Sequence, residues 1–138
     1  MLEKEIGPWR SWQRAAFGKQ RPDQFGEVIV KLPDDIDDEC LELSEAINLF
    51  DGVCTVESCC GHGRQQYCIW FEADNLRKMK PFLRVLNSHY SGWHCSVHMN
   101  YTFNNIYWEL RYLGGMGQIA YDAAGRLAQN MRDYWGIL

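Results

Sequence analysis

An α+β fold is predicted by three observations: segments with apolar residues at the helical period near 3.6, segments with strict apolar/polar alternation, and turn-forming residues between them. Glu27-Val28-Ile29-Val30-Lys31-Leu32 reads as a strand that Pro33 ends. The acids Asp34, Asp35, Asp37, Asp38 and Glu39 follow, then Cys40, Leu43, Ile47 and Phe50 at helical spacing. This run is a helix start, where carboxylates satisfy free N–H groups and the positive end of the dipole; its spacing is not that of a calcium loop, and no divalent-ion site is expected in it.

After a turn at Asp51-Gly52, Val53 to Ser58 is a second strand and Gln66 to Ala73 a third, with Tyr67, Ile69 and Phe71 alternating against Cys68, Trp70 and Glu72. Asn75 to Asn87 places Leu76, Met79, Phe82, Leu83 and Leu86 on one helical face, with Pro81 marking a kink or a later start. Trp93 to Tyr101 alternates again, and Ile106 to Leu113 is its hairpin partner across Asn104-Asn105. Met116 to Tyr134 closes the chain as a helix with Met116, Ala120, Ala123, Leu127 and Met131 on one face. The order is the split β-α-β-β-α-β core of ferredoxin-like folds plus an extra strand and a C-terminal helix.

A chain of 138 residues, 46% apolar and 14% aromatic, suits one packed domain and excludes a disordered protein. That domain is expected over residues 27–138, after an N-terminal arm, residues 1–26, in which Arg10, Arg14, Lys19 and Arg21 interleave with Trp9, Trp12 and Phe17, with a short helix from Trp9 to Phe17. The arm either packs, on the domain or on a neighbouring subunit of a homo-oligomer, or binds RNA or ligand. The net charge of −4 gives no general footprint for nucleic acid. No apolar run approaches the ~20 residues of a membrane span and no secretion signal opens the chain, so a cytoplasmic protein with reduced cysteines and no membrane partner is expected.

Chemistry is concentrated at Thr55-Val56-Glu57-Ser58-Cys59-Cys60-Gly61-His62-Gly63-Arg64. Two glycines flanking a histidine free the backbone for positive φ, and successive N–H groups in such a turn converge on an anion. Ser58, Cys59, Cys60, Gly61, His62, Gly63 and Arg64 are therefore candidate binding residues for an anionic, nucleotide-like small molecule, joined by His94 and His98 if the turn folds over the polar face of their strand. Cys59-x-x-His62 is half a zinc site without a matching partner pair, so no metal ligands are assigned. Cys59 or Cys60 beside His62 and Arg64 is also the setting of a reactive thiol, and whether the protein is an enzyme stays open. Gly114-Gly115-Met116-Gly117-Gln118-Ile119-Ala120 formally contains G-x-G-x-x-A, but no parallel strand follows it, so it is not a dinucleotide fingerprint; its helix start still offers N–H groups to a phosphate or carboxylate.

The string from Ala46 through Gly63, followed by Cys68-Ile69-Trp70-Phe71-Glu72 and a later Gly92-Trp93, resembles small phage and prophage proteins with a T-x-x-S-C-C-G-H-G motif. That resemblance covers roughly residues 40–112 and implies a phage-encoded protein without implying an activity; the expected function is a binding protein that counters a host process. More distantly the segment is similar to the tRNA wybutosine-synthesis protein 3 family, whose N…T-S-S-C-S-G-R loop is matched by Asn48, Ser58, Cys59 and Gly61, with His62 in place of the arginine and Cys60 in place of the second serine. This second resemblance implies an α+β fold with a ligand-binding loop, and as an alternative function an S-adenosylmethionine-dependent RNA-modifying enzyme. A zinc-stabilised interaction module is the remaining alternative.

Overall fold

The protein is described by a computed structural model at residues 20–22, 29–31, 36–88, 92–100 and 105–134. Its elements in chain order are β1 (Gln20–Pro22), β2 (Ile29–Lys31), α1 (Asp38–Ile47), β3 (Val53–Cys59), a short 3-10 turn (Gly61–Gly63), β4 (Cys68–Ala73), α2 (Leu76–Ser88), β5 (Trp93–Asn100), β6 (Asn105–Tyr112) and α3 (Gln118–Tyr134). The α+β class, the predicted order of elements and the C-terminal helix are all present. The expected Trp9-to-Phe17 helix and the Asn104 side of the hairpin turn lie outside the described residues.

β3 to β6 form one antiparallel sheet in the order β3-β4-β6-β5. β4 and β5 run parallel with β6 inserted between them, and α2 joins them: this is a split β-α-β unit. The ferredoxin-like arrangement is thus complete in four strands, entered at the strand that opens its internal hairpin. The strand that stands apart is β2, which pairs antiparallel with β1 in a two-stranded ribbon. The N-terminal arm therefore supplies β2's partner, and the extra strand of the ferredoxin-like count lies at the start of the chain.

One face of the sheet carries the core. Ile69 and Phe71 of β4, Leu110 and Tyr112 of β6, and Trp93 of β5 meet Cys40, Leu43 and Ile47 of α1, Met79 and Phe82 of α2, and Ala120, Ala124, Leu127 and Met131 of α3. The positions on each helix recur at three or four residues, the spacing that builds one apolar stripe. Alanines at 120, 123, 124 and 128 let α3 lie close against α1. Phe82 fixes α2 by ring contacts to Phe50 at 5.5 Å and Phe71 at 4.9 Å, within the range of favourable aromatic pairs. Pro81 lies inside α2, which continues through it from Leu76 to Ser88.

Asn48, just past α1, ties that helix to β3. Its amide donates to Thr55 Oγ1 and its carbonyl accepts from the Thr55 N–H, both at 2.8 Å and both buried. A side chain thus does for β3 what a neighbouring strand would, and a register shift between Thr55 and Glu57 follows at once. Downstream of that shift Ser58 turns to the helix side and Cys59 to the other. Among the described residues no helix is long and apolar enough to cross a membrane.

Candidate functional site

β3 ends, β4 and β5 begin, and β6 ends at the same edge of the sheet. The N-termini of α1 and α3 arrive there too, and between them lies the turn at residues 60–63. Gly61 has φ 80°, His62 φ 52° and Gly63 φ 76°, three successive residues in left-handed backbone. Glycine takes this conformation without penalty. His62 does not, and holding a non-glycine residue there is the kind of local cost that marks a functional turn. The Arg64 and Gln65 N–H groups both donate to the Gly61 carbonyl at 3.0 Å and close the turn.

The turn wraps around its own sulfurs. Gly61 N–H donates to Cys59 Sγ at 3.4 Å, while the His62 backbone N–H and the Tyr121 hydroxyl act to lower Cys60 against the burial that raises it. Cys60 Sγ also lies 3.5 Å from His62 Nδ1. Behind it sit buried Cys40 and Tyr67 and half-buried Ser58: the Tyr67 hydroxyl donates to the Glu39 carbonyl at 2.9 Å, and Tyr67 and Ser58 act to lower the Cys40 thiol against its burial. Burial pushes the Cys40 thiol up to about 12, and burial is also the first cause that raises Cys60 and Tyr67. With no metal bound, Cys60 is therefore a protonated thiol at neutral pH, and its surroundings do not generate a free nucleophilic thiolate.

The residue that sequence reasoning missed is Asp37. It stands at the N-cap position of α1, with φ −61° and ψ 138°, but its carboxylate makes no capping hydrogen bond to the helix. Its Oδ2 instead accepts from the Cys60 N–H at 3.1 Å and lies 3.9 Å from His62 Nε2. The acidic run does start the helix, as expected, but the expected capping is corrected at Asp37; Asp34 and Asp35 lie outside the described residues. Asp38 and Glu39 occupy the first turn and complement its dipole, while Asp37 is turned 23 residues forward in sequence onto the Cys-Cys-Gly-His-Gly turn.

The second glycine-rich feature joins the site. A Cβ on Gly117 would stand 3.8 Å from the Gly63 Cα, so the loop that opens α3 lies within a methyl group's reach of the 60–63 turn. Trp93 and Tyr121 both contact Tyr67, at 5.8 and 6.4 Å between rings, and carry the same end of the core up to the turn.

Of the predicted site residues, Ser58, Cys60, Gly61, His62 and Gly63 are brought together on the helix side of this edge, and Arg64 follows them exposed. Cys59 is adjacent but turned to the other face, opposite Cys68. His94 and His98 are not brought in. His94 shares a cross-strand row with Arg111, Cys68 and Cys59, which leaves three strand spacings, about 14 Å, between it and Cys59. His98 lies further along β5, 2.8 Å from Ser96 Oγ and stacked on Tyr107. The sheet separates what the sequence pooled, because the turn curls toward the helices while these histidines alternate onto the opposite face. That face has its own polar network: Glu109 accepts from Trp70 Nε1 and from Arg111 Nε, each at 2.9 Å, and Arg111 also donates to Gln66 Oε1 at 3.0 Å.

No family model, curated protein or solved structure matches this chain.

Proposed function

We propose that this protein is a small binding protein that holds an anionic, nucleotide-like ligand at the glycine-lined edge formed by residues 58–63 and the loop before α3. The observation that carries the reading is the close approach of Gly117 to Gly63, where a side chain's first carbon on Gly117 would stand only 3.8 Å from the Gly63 Cα, at the N-terminus of a 17-residue helix. A ligand phosphate or carboxylate approaches backbone most closely where no Cβ intervenes, and helix N-termini favour negative charge. His62, whose side chain is 68% exposed, and the exposed Arg64 stand at the rim to supply charge-assisted contacts. Asp37 works against an anion here, its carboxylate only partly compensated by the Cys60 N–H and His62.

Native mass spectrometry of the untreated protein reports any retained ligand, and calorimetry with inorganic phosphate and nucleoside mono- and diphosphates measures binding. His62→Ala is expected to weaken the best of these probes by roughly 1–3 kcal/mol, the scale of a lost charge-assisted hydrogen bond, with melting almost unchanged. Unaltered binding by His62→Ala, or unfolding as severe as that of a core truncation, makes His62 structural and removes the site.

A further inference from the structure

Asp37, Cys60 and His62 each offer one donor atom, and those three atoms lie within 4.8 Å of one another. A carboxylate oxygen, a sulfur and an imidazole nitrogen are the donor types that zinc takes at 2.0–2.3 Å. Around a tetrahedral ion such bonds put donors roughly 3.3–3.8 Å apart. The Cys60 Sγ to His62 Nδ1 separation, 3.5 Å, already has that value. The remaining closure falls to the side chains of Asp37 and His62, and the latter is mostly free in solvent.

We propose that Asp37, Cys60 and His62 form a site for one zinc-class divalent transition-metal ion, with a fourth coordination position open to the anionic group of the ligand. The three-ligand site stands on geometry alone; only the occupant of the fourth position rests on the ligand reading above.

Two independent features support it. Asp37 forgoes the capping bond that its N-cap position invites and directs its carboxylate to the turn, where the Cys60 N–H orients it. His62 is held at φ 52° between two positive-φ glycines, which brings its ring back over the sulfur two residues earlier. On binding, the metal–sulfur bond forms as the Cys60 S–H bond breaks, and the proton leaves to solvent. One aspartate and one thiolate then neutralise a dication, which removes the repulsion that Asp37 alone would exert on an anion. Three protein ligands and one open position is the pattern of exchangeable zinc centres, unlike the closed four-ligand structural sites.

The test is titration of chelator-treated protein with cobalt(II), read by the near-ultraviolet thiolate-to-metal charge-transfer band, with native mass spectrometry of the zinc-loaded protein for stoichiometry. One ion per chain is expected, with the band lost in Cys60→Ser and affinity lowered by roughly tenfold or more in Asp37→Asn and His62→Ala. His94→Ala should bind as wild type does. His62 is exposed, so its variant keeps the test valid even where Cys60→Ser fails to fold. Absence of the band, its survival in Cys60→Ser, or unchanged affinity in His62→Ala overturns the site. Phosphate and nucleoside phosphates are then titrated into apo and zinc-loaded protein. Tighter binding to the loaded form supports the open position, and equal binding to both forms overturns that clause alone. Anion binding by a protein that takes no metal overturns this inference while the ligand reading survives.

Discussion

Alanine at Gly61 and alanine at Gly63 should differ in cost, although both positions have nearly the same backbone. Their φ values are 80° and 76°, so each substitution places a side chain in left-handed backbone, at about 1–2 kcal/mol. Each also stiffens the unfolded chain, which returns about 0.4–1 kcal/mol. There the two diverge. A Cβ on Gly63 meets nothing within 4 Å, whereas one on Gly61 would lie 3.2 Å from both the carbonyl carbon and the oxygen of Gln66. That backbone has little room to yield, because the Gly61 carbonyl holds the Arg64 and Gln65 N–H groups at 3.0 Å and so pins the loop. Overpacking against a fixed backbone adds about 1–3 kcal/mol. Gly63→Ala should therefore cost about 1 kcal/mol and Gly61→Ala about 2–4 kcal/mol. Urea unfolding at constant m-value measures both as shifts of the midpoint. Equal costs, or a larger cost at Gly63, would show that the turn is not built on the close approach of Gly61 to Gln66.

Asn48→Ala should destabilise by about 2–3 kcal/mol in the same urea assay, because it strips the buried Thr55 N–H and hydroxyl of their partner; a loss below about 0.5 kcal/mol would mean that β3 does not depend on this clasp. The Glu109 carboxyl is held below its ordinary value, first by the hydrogen bond from Arg111 and also by that from Trp70, against the opposing effect of burial. Its folded pKa is depressed, so its contribution is complete above the unfolded value near 4.5 and is lost as pH falls through the folded value below it. Urea midpoints measured from pH 7 to about pH 3 should show this loss, and Glu109→Gln should flatten it; an unchanged slope would refute the assignment. Alkylation of the native metal-free protein, mapped by peptide mass spectrometry, should modify half-exposed Cys59 before the others, since Cys40, Cys54, Cys60 and Cys68 are buried and burial raises Cys95 to about 11. Early modification of Cys40 would contradict its place in the core.

The elements were legible because each carries its period: Cys40, Leu43 and Ile47 mark one face of α1 as clearly as Trp93, Cys95 and Val97 mark one face of β5. The partners of those elements were not. Alternation tells that a strand has two faces but not which strand lies beside it, so Ile29–Lys31 could be assigned to the sheet as readily as to the ribbon that it forms with Gln20–Pro22. The same gap explains His94 and His98. Their alternation correctly gives them a common face, and only the path of the chain after Cys59 decides that the turn leaves toward the other one.

Asp37 is the sharper case, because the rule that misread it is sound. Five acids before an apolar-periodic run are a strong helix-start signal, and two of them, Asp38 and Glu39, do occupy the first turn. An N-terminus uses few carboxylates, however, and the surplus has to go somewhere. Which acid is surplus depends on where α1 begins relative to a turn 23 residues further along, and that distance is set by β3 and the Asn48 clasp. Asn48, the bulge after Thr55 and Asp37 therefore act as one device. The clasp fixes β3 against the end of α1, the bulge turns Ser58 inward and brings Cys60 to the helix side, and the start of α1 then delivers a carboxylate to it. Losing the clasp should consequently loosen the Asp37–Cys60–His62 arrangement although Asn48 touches none of the three, and a cobalt titration of Asn48→Ala, still folded at low temperature, should show weakened binding with the thiolate band retained. Wild-type affinity in that variant would mean that the turn is positioned by its own glycines alone.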